Sequence, residues 1–384
     1  MPPIVEVLFW LCVLGAVYSY FVYPCVLRAL PRQRMVNAKE PPLADNALPQ
    51  LTLIITAHNE QARIEAKISN TLRCEYPRDR LEIIVASDSS TDSTDDIVRA
   101  HAADGVSLVR ATERLGKENA QATAIAIATG DLLVFSDVAT EIPTDALRRI
   151  ASAFAVDAQI GAISSEDRFI SRNGEIAGEG AYVRYEMWLR KLESERAGLV
   201  GLSGSFFAVR RHICSDWDIQ SPSDFNTALN CARQGYIAIS HPEVLGYYQD
   251  VQDPKREYLR KVRTVLRGMT AITRHPQVLA PAFGLFALQV WSHKILRWLV
   301  PWFLLLLVPL NLALLGTHWL YDVTLLAQLL FYAAAILGHV VSGARNLLPV
   351  RIIYFFVQAN LAIADATIQL LRGSRMTVWS PTVR

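Results

Sequence analysis

The residues able to do chemistry sit in short polar clusters that close apolar runs. After LTLIIT (51–56) come His58, Asn59 and Glu60; after LEIIVAS (81–87) come Asp88 and Asp92; LLVFSDVAT (132–140) presents Asp137 among small or apolar neighbours. Lys117 follows Gly116, and Asp224 stands at a helix-start position in SDFNTALNCARQGY. Acids and amides that accept from a base or ribose, a carboxylate for a divalent cation, and a lysine for phosphate charge describe a nucleoside-diphosphate site. Each residue also has a plain structural reading: Asp137 as a turn acid, Asp92 as a helix cap, Lys117 as a solvated lysine.

The elements that must position these residues are legible in the pattern. Apolar runs at 51–56, 81–87, 106–109 and 132–136 alternate with amphipathic stretches through Ile64 and Leu72, from Asp92 to Ala103 and from Asn119 to Ala128. Strand-helix alternation with almost wholly apolar strands predicts an α/β fold with a mainly parallel sheet covered on both faces. In such sheets chemistry collects beyond the carboxyl ends of the strands, where the polar clusters fall. Thr144, after Pro143, is read as the start of the helix in TDALRRIASAF. From Ile160 to Tyr248 the alternation is less regular. There is no GxGxxG after the first strand and no GxxxxGK[ST], so dehydrogenase and P-loop readings lose their main support.

The 384-residue chain is 52% hydrophobic, and its mean hydropathy is +0.22. Such a composition predicts that part of the chain lies in lipid. Ile4 to Leu27 carries one charge, Glu6, while Leu299–Gly316 and Val323–Val341 carry no Asp, Glu, Lys or Arg. Residues 1–29 read as a retained membrane anchor and 30–49 as a Pro-rich linker. Residues 50–254 form the α/β domain and 255–280 a basic amphipathic interfacial helix. A C-terminal membrane region of about three helices follows at 281–371, with a tail at 372–384. The third of those helices, Ile352–Leu371, is the weaker candidate because it contains Gln358, Asn360 and Asp365. Arg28, Arg32 and Arg34 behind the anchor place the α/β domain in the cytoplasm of a multi-pass inner (plasma) membrane protein. Three C-terminal crossings would put the tail outside, whereas Arg372, Arg375 and Arg384 favour the inside. A net charge of +2 disfavours nucleic acid as a partner. The five cysteines show no metal-ligand spacing and read as buried apolar fillers.

Seven stretches, in order, resemble membrane-bound family-2 glycosyltransferases: TAHNE (56–60), SDSSTDST (87–94), GKENAQATAIAIATGD (116–131), FSDVAT (135–140), GLSGSFFAVRR (201–211), SDFNTALNCARQGY (223–236) and RKVRTVLRG (260–268). The resemblance covers roughly residues 50 to 275 and implies a GT-A fold, a nucleotide-sugar donor, usually UDP-linked, a divalent metal (Mg2+ or Mn2+) and inverting hexosyl or N-acetylhexosaminyl transfer. By position it implies that Asn59, Glu60 and Asp88 contact the uridine and that Lys117 lies near the nucleotide or diphosphate. Asp137 would be the metal acid and Asp224 the general base. Arg260 and Arg263, one helical turn apart, could add charge over the diphosphate. The acceptor would be a lipid-linked or growing polysaccharide in cell-envelope biosynthesis.

The chain departs from that pattern in three places. Asp137-Val138-Ala139 replaces Asp-x-Asp, so its third position cannot ligate a metal. Ser223-Asp224 replaces a pair of acids. Arg260-Lys261-Val262-Arg263-Thr264 lacks the tryptophan of processive synthases. Besides simple transfer, a processive synthase that exports its product and a non-catalytic nucleotide-binding scaffold remain as alternatives. A transporter is disfavoured because most of the chain is the α/β domain and no paired, interrupted membrane repeats are visible.

Overall fold

The computed structural model describes residues 3–34, 41–170, 181–249, 254–374 and 376. Part of the expected linker (35–40) and most of the expected tail lie outside the described residues. The chain divides into two compact units. One is helical, from Met1–Ala29, Gln252–Met269 and Leu288–Arg375; the other is built on a sheet, from Leu30–Val251 with Thr270–Ala287 and Met376.

Seven strands make the sheet: β1 Leu51–Ala57, β2 Leu81–Ser87, β3 Val106–Arg110, β4 Leu132–Asp137, β5 Ile160–Ile170, β6 Phe206–Arg210 and β7 Ile237–Gln249. Their order is β3-β2-β1-β4-β6-β5-β7. The first four strands are mutually parallel, β6 runs antiparallel to both β4 and β5, and β5 pairs parallel with β7. The apolar runs are continuous because both faces are covered. Leu53, Ile55, Ile83, Val85 and Val134 meet Ile64, Ile68, Leu147 and Ile150 on one face. Ile54, Ile84, Ala86, Leu133 and Phe135 meet Ala120, Ala124 and Ala228 on the other. Phe135 stacks on Phe207 at 4.9 Å and on Trp217 at 5.2 Å between ring centroids, which anchors β4.

Two local details differ from the sequence reading. The helix after Pro143 begins at Ala146 rather than Thr144, because the Thr144 carbonyl accepts from Glu75 N (2.7 Å) and its hydroxyl bonds Glu75 Oε1 (3.1 Å). The helix after Asp92 is short, Thr94–Ala100; Asp92 receives the Thr94 N–H at 3.0 Å at its start.

Among the described residues, four helices are long and apolar enough to cross a membrane: Ile4–Ala29, Pro281–Leu314, Trp319–Val340 and Leu348–Leu371, the second of which begins in residues grouped with the sheet. Phe9 and Cys12 pack with Leu307, Leu314 and Tyr321. The basic helix Pro254–Arg274 buries Val262 and Leu266 against Ala362 and Ala366 of the last span.

Candidate active site

Strands β1, β2 and β4 end level with one another, since Ala57 pairs with Ser87 and Thr56 with Asp137. The residues that follow β1 and β2, and Asp137 itself, therefore emerge from one edge of the sheet. The two turns there are strained: Asn59 and Ser89, each with φ of +52°, are the non-glycine residues in the left-handed region among the described residues. Cross-bonds hold them. Asn59 N donates to Ser90 Oγ (3.1 Å), Thr91 N donates to Asn59 Oδ1 (2.8 Å), and Glu60 N donates to Thr94 Oγ1 (2.8 Å). His58 Nδ1 lies 2.7 Å from the Asp88 carbonyl. Strain that neighbours over-determine is a mark of a pre-organised site. The Asn59 amide is engaged in this zipper, its Nδ2 also reaching Thr91 Oγ1 (3.2 Å).

Asp88 is fully buried. Its Oδ1 accepts from Gly116 N at 3.2 Å, while Oδ2 has no hydrogen-bond partner among the described residues. Burial raises its pKa, against the pull of the Gly116 N–H and of nearby His58. An orphaned buried acceptor of this kind is suited to an N–H from a ligand. Glu60 is also buried and is paired with Arg63 (2.6 Å). Burial raises its pKa, Arg63 opposes that, and Asp137 and Asp92 push it up further.

At the end of β4, Asp137 N donates to the Ser205 carbonyl (2.9 Å), and its carboxylate faces the Lys117 ammonium, Nζ to Oδ1 2.5 Å. Lys117 Nζ also donates to the Gly204 carbonyl at 2.7 Å. Beneath the turn lies Lys67, 3% exposed, donating to Ser136 Oγ (2.7 Å) and to the Thr140 carbonyl (2.6 Å). Burial lowers its pKa to about 8. Across the Ser203–Ser205 loop stands Asp224, near the start of the helix Ser223–Arg233: a Cβ at Gly204 would sit 3.3 Å from its Oδ2. Glu118 Oε1 accepts the Ser223 N–H at 3.2 Å and so orients that helix start. The loop is pinned by Asp167, which accepts from Ser203 Oγ (2.7 Å), Ser205 Oγ (2.9 Å) and Ser165 Oγ (3.1 Å).

The structure thus brings Asn59, Glu60, Asp88, Lys117, Asp137 and Asp224 to one region of the sheet unit. Arg260 and Arg263 belong to the helical unit, where Arg260 pairs with Glu257 at 2.8 Å. Sequence reasoning missed Lys67, Asp167 and Glu118. Lys67 had a readable signal, since it occupies an apolar-face position between Ile64 and Ile68. Asp167 had none, lying in the mixed run ISSEDRF.

No group of three or more His, Cys, Asp or Glu among the described residues could hold a metal. Asp137 has no acid two positions on, Ala139 being apolar, and its carboxylate already holds an ammonium. Magnesium-type cations commonly take one carboxylate and complete their shell with substrate phosphates and water. The residues fit a cation that arrives with a diphosphate, and they do not fit a free-standing metal centre.

Residues 52–217 match the Glycosyl transferase family 2 model. The beta-monoglucosyldiacylglycerol synthase of Nostoc sp. is 24% identical over 187 residues, 46% of this chain and 40% of that protein. The probable glycosyltransferase YdaM of Bacillus subtilis is 25% identical over 248 residues, 62% of this chain and 57% of that one. The chain therefore spans about half the length of the curated relatives it matches. The mannosyltransferase of Pyrobaculum calidifontis, solved with GDP-Man and Mn2+, superposes with a TM-score of 0.70 at 22% identity, covering 97% of this chain and all of that one, and shares its fold. Residues 52–217 are a family-2 glycosyltransferase domain with a GT-A fold, in a chain that also has, among the described residues, four helices apolar enough to cross a membrane.

Proposed function

We propose that the protein is an inverting, membrane-anchored glycosyltransferase. It moves a sugar from a UDP-sugar to a lipid, or to a lipid-linked or growing saccharide, at the cytoplasmic face of the membrane. The observation that carries this reading is the arrangement around Gly204. Its carbonyl takes the Lys117 ammonium, whose other partner is Asp137, and the Asp224 carboxylate faces the space that a Cβ on this residue would enter, 3.3 Å from Oδ2. A cationic end and a basic end thus stand on either side of one glycine.

That arrangement suits single displacement. The Asp224 carboxylate takes the proton of the acceptor hydroxyl as its oxygen bonds the anomeric carbon. The bond from that carbon to the diphosphate breaks, and its electron pair stays on the leaving oxygen. The Lys117 ammonium stabilises the charge growing on the diphosphate. When bound there, a divalent cation, Mg2+ or Mn2+, would add charge neutralisation, with Asp137 as its protein ligand. Asp88 Oδ2 would accept an N–H of the base, and Glu60, with Arg63, would line the nucleoside side. Arg260 and Arg263 are proposed to bear on the diphosphate.

The lipid acceptor is supported by the relatives named as glucosyldiacylglycerol synthases and by the apolar helices in the same chain. Asp224→Asn tests the assignment: binding of UDP should be retained while release of UDP from the donor falls by about a hundredfold or more. Undiminished turnover would remove Asp224 as the base.

A further inference from the structure

We propose that Lys117 is the resident counter-cation of Asp137 in the empty protein. It gives up Asp137 only as a donor diphosphate arrives, so that a divalent cation can bind there with the nucleotide but not before it. This rests on the donor reading above, and it adds an order of events that the reading does not contain.

Three observations carry it. First, the Lys117 ammonium is seated in a built position, its side chain 11% exposed, with Nζ 2.5 Å from Asp137 Oδ1 and 2.7 Å from the Gly204 carbonyl. An ammonium has three N–H donors, so one remains to draw a phosphate oxygen toward the lysine. Second, the buried Lys67 places another cation behind the same turn, where Asp137 is among the charges acting on it. Third, among the described residues no group of three or more acids, histidines or cysteines gathers to offset a divalent cation: nearby Glu60 is held by Arg63, and the position two after Asp137 is Ala139. A divalent cation entering alone would have to displace Lys117 and then face two ammonium groups across a single carboxylate. The charge of the diphosphate removes that imbalance and supplies Lys117 with a new partner.

The test uses Mn2+, titrated into the detergent-purified full chain and followed by electron paramagnetic resonance of the free ion. Wild type should bind Mn2+ weakly when empty and at least about tenfold more tightly with UDP or GDP present, counted beyond the Mn2+ that the same nucleotide holds without protein. Lys117→Gln should bind Mn2+ at least about tenfold more tightly than wild type in the absence of any nucleotide. The double variant Lys117→Gln/Asp137→Asn should lose that gain. Equal affinity in wild type and Lys117→Gln, or tight binding that survives loss of Asp137, overturns the proposal. If Lys117→Gln does not fold, the wild-type pair decides alone: the same Mn2+ affinity with and without nucleotide overturns it. If neither nucleotide binds at all, as read by thermal shift, the donor reading fails while the Lys117→Gln comparison still decides the pairing.

Discussion

Lys67→Met isolates the energetics of the platform beneath Asp137. Lys67 is buried, and its pKa falls from 10.5 to about 8 because burial outweighs the attraction of nearby Asp137 and Glu141. That drop corresponds to about 3 kcal/mol paid at neutral pH to keep the ammonium inside. The sign follows from proton counts. Between about pH 8 and about pH 10.5 the folded chain binds fewer protons at this lysine than the unfolded chain does, so its penalty is relieved as the pH rises through that window. Methionine removes the penalty but strands two buried acceptors, Ser136 Oγ and the Thr140 carbonyl, at about 1–3 kcal/mol each. Near neutrality the terms offset, and the variant should melt close to wild type. By about pH 9.5 wild type has recovered about 2 kcal/mol that the variant cannot, so the gap in Tm should widen by about 4–8 °C. Intrinsic-fluorescence melts of both proteins in one detergent across that range read this directly. Melting curves that stay parallel would refute a buried, charged Lys67.

Other outcomes follow from single contacts. Burial holds the Asp88 carboxyl above its ordinary value, so UDP affinity should decline on acidification before an ordinary aspartate would protonate. Asp88→Asn, which turns a donor toward the ligand, should weaken UDP by about tenfold or more and flatten that pH dependence in calorimetric titrations. Gly204→Ala places a methyl 3.3 Å from Asp224 Oδ2; kcat should fall by about tenfold with donor KM little changed, and an unaltered kcat would show that the carboxylate has room to move. Phe135→Ala empties the stack between Phe207 and Trp217 and should cost about 3–5 kcal/mol, seen as a large loss of Tm.

Much of the fold was legible because β1, β2 and β4 are buried on both faces, so their apolar runs end where the strands end. The polar residues after those runs stand at one sheet edge for that reason. The antiparallel β6 was not legible: FFAVR is too short and apolar to reveal its direction, which β4 and β5 set through pairing. Helix starts were approximate where a tertiary bond intervened, as at Thr144. That the polar residues closing β1, β2 and β4 would share one sheet edge could be read; how they pair could not, and Arg260 and Arg263, read with them, belong to the helical unit. Lys117 and Asp137 are 20 residues apart and meet only because β4 and the helix after Gly116 converge. Asp167 gathers three serines from two segments, a contact with no local signature.

Lys117 and Glu118 are adjacent in the chain yet serve opposite ends of the site. Lys117 reaches Asp137, and Glu118 caps the backbone from which Asp224 projects. The first helical turn is therefore a ruler between the leaving-group end and the basic end, its rise per residue set by the backbone hydrogen bonds of the helix. Segments that recognise an acceptor can be exchanged around such a ruler while the two chemical ends keep their spacing. An insertion within 116–118 would alter that spacing in every substrate complex at once.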